Sequence, residues 1–119
     1  MKIVEIKELF FEKVKVIKFE RFCDERGFFT EHFRKSDILK LPFLKDFHFV
    51  QLNESFSRKN TIRGLHFQWN PYQGKLVRTI LGRMVDIVMD IRKGSPHFGK
   101  ILAYDMPANN RRDYDEWIW

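Results

Sequence analysis

Residues 14–34, "VKVIKFERFCDERGFFTEHFR", decide the fold. The run opens on alternating and aromatic residues, breaks at "DERG", and resumes with "FFTEHF". A period of two marks a strand whose faces differ in environment, and Gly27 supplies a turn through which the chain can reverse. Two antiparallel strands and their connection are predicted.

Downstream, "KSDILKLPF" (35–43) offers Ser36 as a helix cap before a short apolar run that Pro42 limits, so one brief helix is expected. "VQLNESFS" (50–57) alternates again and sets Gln51, Asn53, Ser55 and Ser57 on one face. A strand at the surface and a strand lining a cavity both produce that pattern. "IRGLHFQW" (62–69) reads as a strand, and "NPYQG" turns the chain through Pro71 and Gly74. Gly82 interrupts "KLVRTILGRMVDIVMDIR" (75–92), which predicts two strands around a tight turn. The second of these carries Asp86, Asp90 and Arg92 on one face, where a buried carboxylate needs a partner. The closing "ILAYDMPANNRRDYDEWIW" (101–119) begins as strand, crosses polar turn residues and returns to aromatics. A final strand entering the core, with a long apolar edge left open beside it, is expected there. Repeated short strands with one brief helix argue an antiparallel all-β barrel or sandwich.

The 119 residues suffice for a single domain spanning 1–119, and thirteen Phe predict an aromatic core. No apolar run reaches the roughly 18 residues of a membrane span, and "MKIVEIKELF" mixes acids among its hydrophobics, unlike a secretory signal. A cytoplasmic protein without membrane association is expected. Cys23 is the one cysteine, which excludes an intrachain disulfide and a cysteine-based zinc site. The net charge of +6 favours anionic partners. Its basic residues are interleaved with sixteen acids instead of forming one tract, which argues against nucleic acid.

Metal-binding β-barrels of this type use a His-x-His segment, but "GLHFQ" has Gln68 where the second His would stand, and Lys75 would repel a cation. No metal is expected. Nucleophilic catalysis lacks a Gly-x-Ser-x-Gly elbow, and the six Gly form no phosphate-cradling loop, so any phosphate must be held by side chains such as arginine. Proton transfer remains. His66 with a nearby ammonium (Lys75) and a strand carboxylate (Asp86) forms a coherent set for removing a proton next to a carbonyl.

Five segments in register, "DERGFFTEHF", "VQLNESFS", "RGLHFQ", "PYQGKLVR" and "GRMVDIVMDIRKGSPHFG", resemble the dTDP-4-dehydrorhamnose 3,5-epimerase family of cupin-type nucleotide-sugar epimerases over residues 24–99. The resemblance implies an antiparallel cupin-like β-barrel, or jelly roll, acting on a dTDP-4-keto-6-deoxy sugar without a cofactor. It implies that His66 is the base, that Lys75 stabilises the enolate oxygen, and that Asp86 pairs with Lys75 or orients the site. It places Arg26, Glu31, Gln51, Asn53 and Arg63 against the substrate, with Arg26 and Arg63 on the diphosphate. It also turns the polar face of residues 51–57 toward a lumen, and implies a homodimer built by exchange of amino-terminal strands.

The family pattern continues through a Pro-x-Gly-Phe-x-His-Gly motif, a general-acid Tyr and an Asp paired with the base, and these 119 residues hold none of them. Tyr72, Tyr104 and Tyr114 do not occupy the acid position. A barrel incomplete at the carboxyl end, with exposed edges and weak epimerisation, is therefore expected. The alternative reading is a non-catalytic nucleotide-sugar binding module that keeps the arginines.

Overall fold

The computed structural model describes residues 1–9, 13–108 and 114–119. The expected hairpin forms β2 (Lys15–Asp24) and β3 (Gly27–Thr30), preceded by β1 (Ile3–Glu8). Arg21 pairs with Thr30 and Asp24 with Gly27. Gly27 takes φ 134°, a conformation that a residue with a Cβ rarely adopts, which is why a glycine closes this turn. β1 runs antiparallel along the other part of β2, with a register irregularity between Ile3 and Glu5.

After β3 comes α1 (Lys35–Ile38), a single turn. Its cap is Arg34 in extended conformation, not Ser36, and no side chain bonds the free N–H groups. Ser36 sits inside the turn because the chain has already entered helical geometry at Lys35. β4 (Arg83–Met89) pairs antiparallel with β5 (Ile101–Pro107), the chain turning back through residues 90–100, and Gly82 at φ 78° precedes β4. The polar turn expected between β5 and the last strand falls largely on 109–113, outside the described residues. β6 (Tyr114–Ile118) then returns to β2. The result is one sheet of four strands and a second of two.

β6 keeps the edge position expected of it, with its apolar residues covered from within. It lies along β2 from Val16↔Ile118 to Glu20↔Tyr114, and its outer side takes a bridge to Val77, with bonds of 2.9 Å in both directions. Trp117 and Ile118 are buried as a result. The core gathers Ile17 and Phe19 of β2, Trp117 of β6, and Ile38, Leu41 and Leu44 from the helix and the turns after it. Burying one such side chain contributes about 1.5–3 kcal/mol.

The strands expected over 50–57, 62–69 and 75–80 are not formed; the bridge at Val77 is the one ladder contact there among the described residues. An alternating sequence becomes a strand only when a neighbour accepts and donates its hydrogen bonds. Apart from β6 at Val77, no described strand pairs with these segments. Val50, Leu52, Phe56 and Ile62 consequently stand exposed, and the radius of gyration, 15.4 Å, exceeds the roughly 13.5 Å of a compact domain this long.

Candidate active site

Asp86 and Lys75 lie near enough for the ammonium to act weakly on the carboxyl. Asp86 sits at mid-strand in β4, opposite Tyr104 of β5, and is half-buried. Burial pushes its carboxyl above the ordinary range, while the backbone N–H of Ile87 and the Lys75 ammonium act in the opposite direction. The two side chains are therefore within electrostatic reach of each other. Lys75 follows Gly74, where a glycine is required: a Cβ would stand 2.5 Å from Phe47 Cε1 and would also collide with Trp119. The close approach of this backbone to the Phe47–Trp119 ring pair, at 4.4 Å and 87°, sets where Lys75 begins.

His66 is exposed, two residues beyond Gly64, which takes φ 111°. A Cβ at Gly64 would lie 3.5 Å from His66 Nδ1, so the ring rests over the glycine. Arg63 is tied back to the preceding segment, donating from Nε to Ser57 Oγ at 2.8 Å and from Nη2 to the Phe56 carbonyl at 3.2 Å. Gln51 donates to Asn53 Oδ1 at 3.1 Å, but both are exposed, which corrects the expectation that the polar face of residues 51–57 turns toward a lumen. Arg26 is exposed and forms a fork with Asp24, which holds the Asp24 carboxyl below its usual value. Glu31 pairs with Arg34 and with the Met1 ammonium; both interactions lower its pKa, Arg34 more strongly. The structure thus joins Gln51 to Asn53 by a hydrogen bond and brings Lys75 within electrostatic range of Asp86, whereas Arg26 and Glu31 are engaged by partners of their own. Among the described residues, no three His, Cys, Asp or Glu side chains converge as a metal would need.

Sequence reasoning missed a polar cluster behind the core. Asp115 Oδ2 of β6 accepts from Arg21 Nη2 at 3.1 Å, forms an ion pair with Arg78 Nη2 at 3.1 Å, and lies 3.8 Å from His32 Nδ1. Arg78 Nη1 also contacts His32 Nδ1. Burial and the Arg78 charge lower the His32 pKa, and Asp115 opposes them. A signal was available: the buried β2 face of Ile17 and Phe19 continues two residues on to Arg21, and a buried arginine demands an acid.

A family model for dTDP-4-dehydrorhamnose 3,5-epimerase matches residues 8–114. The chain belongs to the dTDP-4-dehydrorhamnose 3,5-epimerase family. An epimerase of that name from Shigella flexneri is 46% identical over 98 residues, which cover 82% of this chain and 52% of the relative. One from Neisseria gonorrhoeae is also 46% identical, over 88% of this chain and 31% of its own length. The chain spans about half, or less, of these two relatives. In three dimensions it resembles the dTDP-4-dehydrorhamnose 3,5-epimerase of Sulfolobus tokodaii, with TM-score 0.81 and 38% identity, over 98% of this chain and 63% of that one. It also resembles dTDP-6-deoxy-D-glucose-3,5-epimerase of Legionella pneumophila, solved with dTDP-4-keto-L-rhamnose, with TM-score 0.82 and 33% identity, over 97% of this chain and 64% of that one. The fold is the all-β, cupin-like fold of this epimerase family.

Proposed function

We propose that residues 1–119 form one cupin-like epimerase domain that binds a dTDP-4-keto-6-deoxy sugar and removes the proton next to its C4 ketone. His66 takes the proton from C3 or C5. The electron pair left on carbon moves toward the C4 oxygen, and the Lys75 ammonium stabilises the resulting enolate, with Asp86 holding the ammonium in place. Arg26 and Arg63 meet the diphosphate, for which a planar guanidinium is well shaped. Glu31, Gln51 and Asn53 fix the rest of the ligand. Inversion requires a proton returned to the opposite face, and none of the three tyrosines is given that role. The net positive charge serves a doubly phosphorylated substrate, with no nucleic acid or membrane as partner and no metal or cofactor. The protein acts in the cytoplasm as a homodimer joined by exchanged amino-terminal strands.

The observation that carries the reading is the family match over residues 8–114, within which Lys75 stands close enough to the half-buried Asp86 for its charge to act on that carboxyl. The test is incubation with the dTDP-4-keto-6-deoxy sugar in D2O, followed by proton NMR. Deuterium entering C3 or C5 supports the base; inverted sugar need not accumulate. Saturable binding with both carbons unlabelled makes the protein a nucleotide-sugar binding module instead.

A further inference from the structure

Lys75 is placed by its backbone, and that backbone is fastened from behind. Val77 exchanges two hydrogen bonds of 2.9 Å with Ile118, and Leu76 packs on the core cluster. One residue further, Arg78 reaches Asp115 at 3.1 Å with its side chain only 14% exposed, and its guanidinium lies 5.7 Å over the Trp117 ring. Trp117 in turn donates from Nε1 to the His32 carbonyl at 2.9 Å. Asp115 is the carboxylate shared by Arg21 and Arg78, so losing it would take from the largely buried Arg78 the acid that holds it against β6.

We propose that Asp115 is a positioning residue for Lys75: by holding Arg78 against β6 it fixes the 75–79 segment, and so sets the ammonium beside Asp86. Asp115 touches neither the substrate nor the reacting atoms. On an extended segment, Leu76 and Arg78 fall on the face opposite Lys75, so anchoring one face presents the other. The inference rests on the reading of Lys75 as the enolate-stabilising group, but its physical content is a distance between Lys75 and Asp86, which is measurable without substrate.

The test is an NMR pH titration of the Asp86 carboxyl in the native chain and in Lys75→Ala, Asp115→Asn and Asp115→Glu variants. Lys75→Ala sets the scale, raising the Asp86 pKa by removing the cation. The sign in Asp115→Asn is diagnostic. Deleting a negative charge acts directly to lower the Asp86 pKa, whereas withdrawal of Lys75 raises it. The expected result is a rise toward the Lys75→Ala value, substantially reversed in Asp115→Glu, with β1–β2 amide protection intact. An unchanged or lowered Asp86 pKa in a folded Asp115→Asn chain overturns the proposal. Should that variant not fold, Arg78→Lys, which keeps the charge but loses the planar fork, is titrated with the same two readings. In the deuterium assay, Asp115→Asn is expected to slow exchange about 10- to 100-fold with KM little changed. If the native chain shows no exchange, the catalytic reading fails, and the titration still decides the role of Asp115.

Discussion

Gly74→Ala is the substitution for which the structure gives the sharpest sign. Residue 74 does not adopt positive φ, so in open space an alanine would stabilise the fold by about 0.4–1 kcal/mol through the unfolded chain. The space is not open. The new Cβ would stand 2.5 and 2.7 Å from Phe47 Cε1 and Cζ, inside van der Waals contact by about 1 Å. Phe47 packs edge-on against Trp119, and the Trp119 backbone is held by bonds of 2.8 and 3.0 Å to Lys15, so the pair cannot retreat as a unit. Overpacking of this kind costs about 1–3 kcal/mol. For a chain of this length, a Tm lower by roughly 4–12 °C is expected. Thermal unfolding followed by tryptophan fluorescence reads both the stability and the Trp119 environment. Displacement of the adjacent Lys75 is also expected to raise the Asp86 pKa. A Tm equal to or above the native value, with unchanged fluorescence, would refute the packing argument.

Other outcomes follow from single sites. Phe19→Ala removes a fully buried ring at the centre of the core and is expected to cost about 3–5 kcal/mol in urea denaturation, unfolding much of the population. Asp90 accepts hydrogen bonds from the Arg92 side chain and backbone and from Ser95, and these hold its carboxyl far below the usual range. Because its folded pKa is depressed, the stability it contributes is complete above the ordinary carboxylate pKa of about 4 and is lost as pH falls below it. Hydrogen exchange in the 90–99 loop should therefore accelerate below about pH 4 before β1–β2 opens, and Asp90→Asn should remove that pH dependence. Arg21→Leu is expected to destabilise β2–β6 more in combination with Asp115→Leu than alone, since the single change leaves Asp115 paired with Arg78, whereas the double change takes from the largely buried Arg78 its carboxylate; a double variant as stable as Arg21→Leu in urea denaturation would contradict the shared-carboxylate description.

The β2–β3 hairpin was legible because its information is local: alternation, a turn sequence, and a glycine that the turn requires at Gly27. β4, β5 and β6 were legible for the same reason, and Gly82 marked the start of β4. The segment 48–80 was not. "VQLNESFS" and "IRGLHFQW" carry strand periodicity, but a strand is completed by a neighbour distant in sequence, and periodicity names no partner. The fate of the terminal aromatics was also nonlocal: whether Trp117 is an exposed edge or a core residue depends on β2 and Val77. Within the site, the Lys75–Asp86 relation followed from residue chemistry and family resemblance. The Arg21–Arg78–His32–Asp115 cluster went unseen because its members are far apart in the chain, and only the buried face of β2 hinted that an acid must exist. The position of Ser36 was misjudged because a cap depends on where helical geometry begins, which a plausible cap residue does not determine.

The most direct measurement is chemical rescue of the base. In the His66→Ala chain, deuterium entry into C3 and C5 of the dTDP-4-keto-6-deoxy sugar should fall by roughly two to four orders of magnitude. Added imidazole should restore it in proportion to concentration, while substrate binding stays intact. Exchange in His66→Ala equal to that of the native chain, or a loss that imidazole leaves untouched although the sugar still binds, would contradict the assignment of His66 as the group that takes the proton.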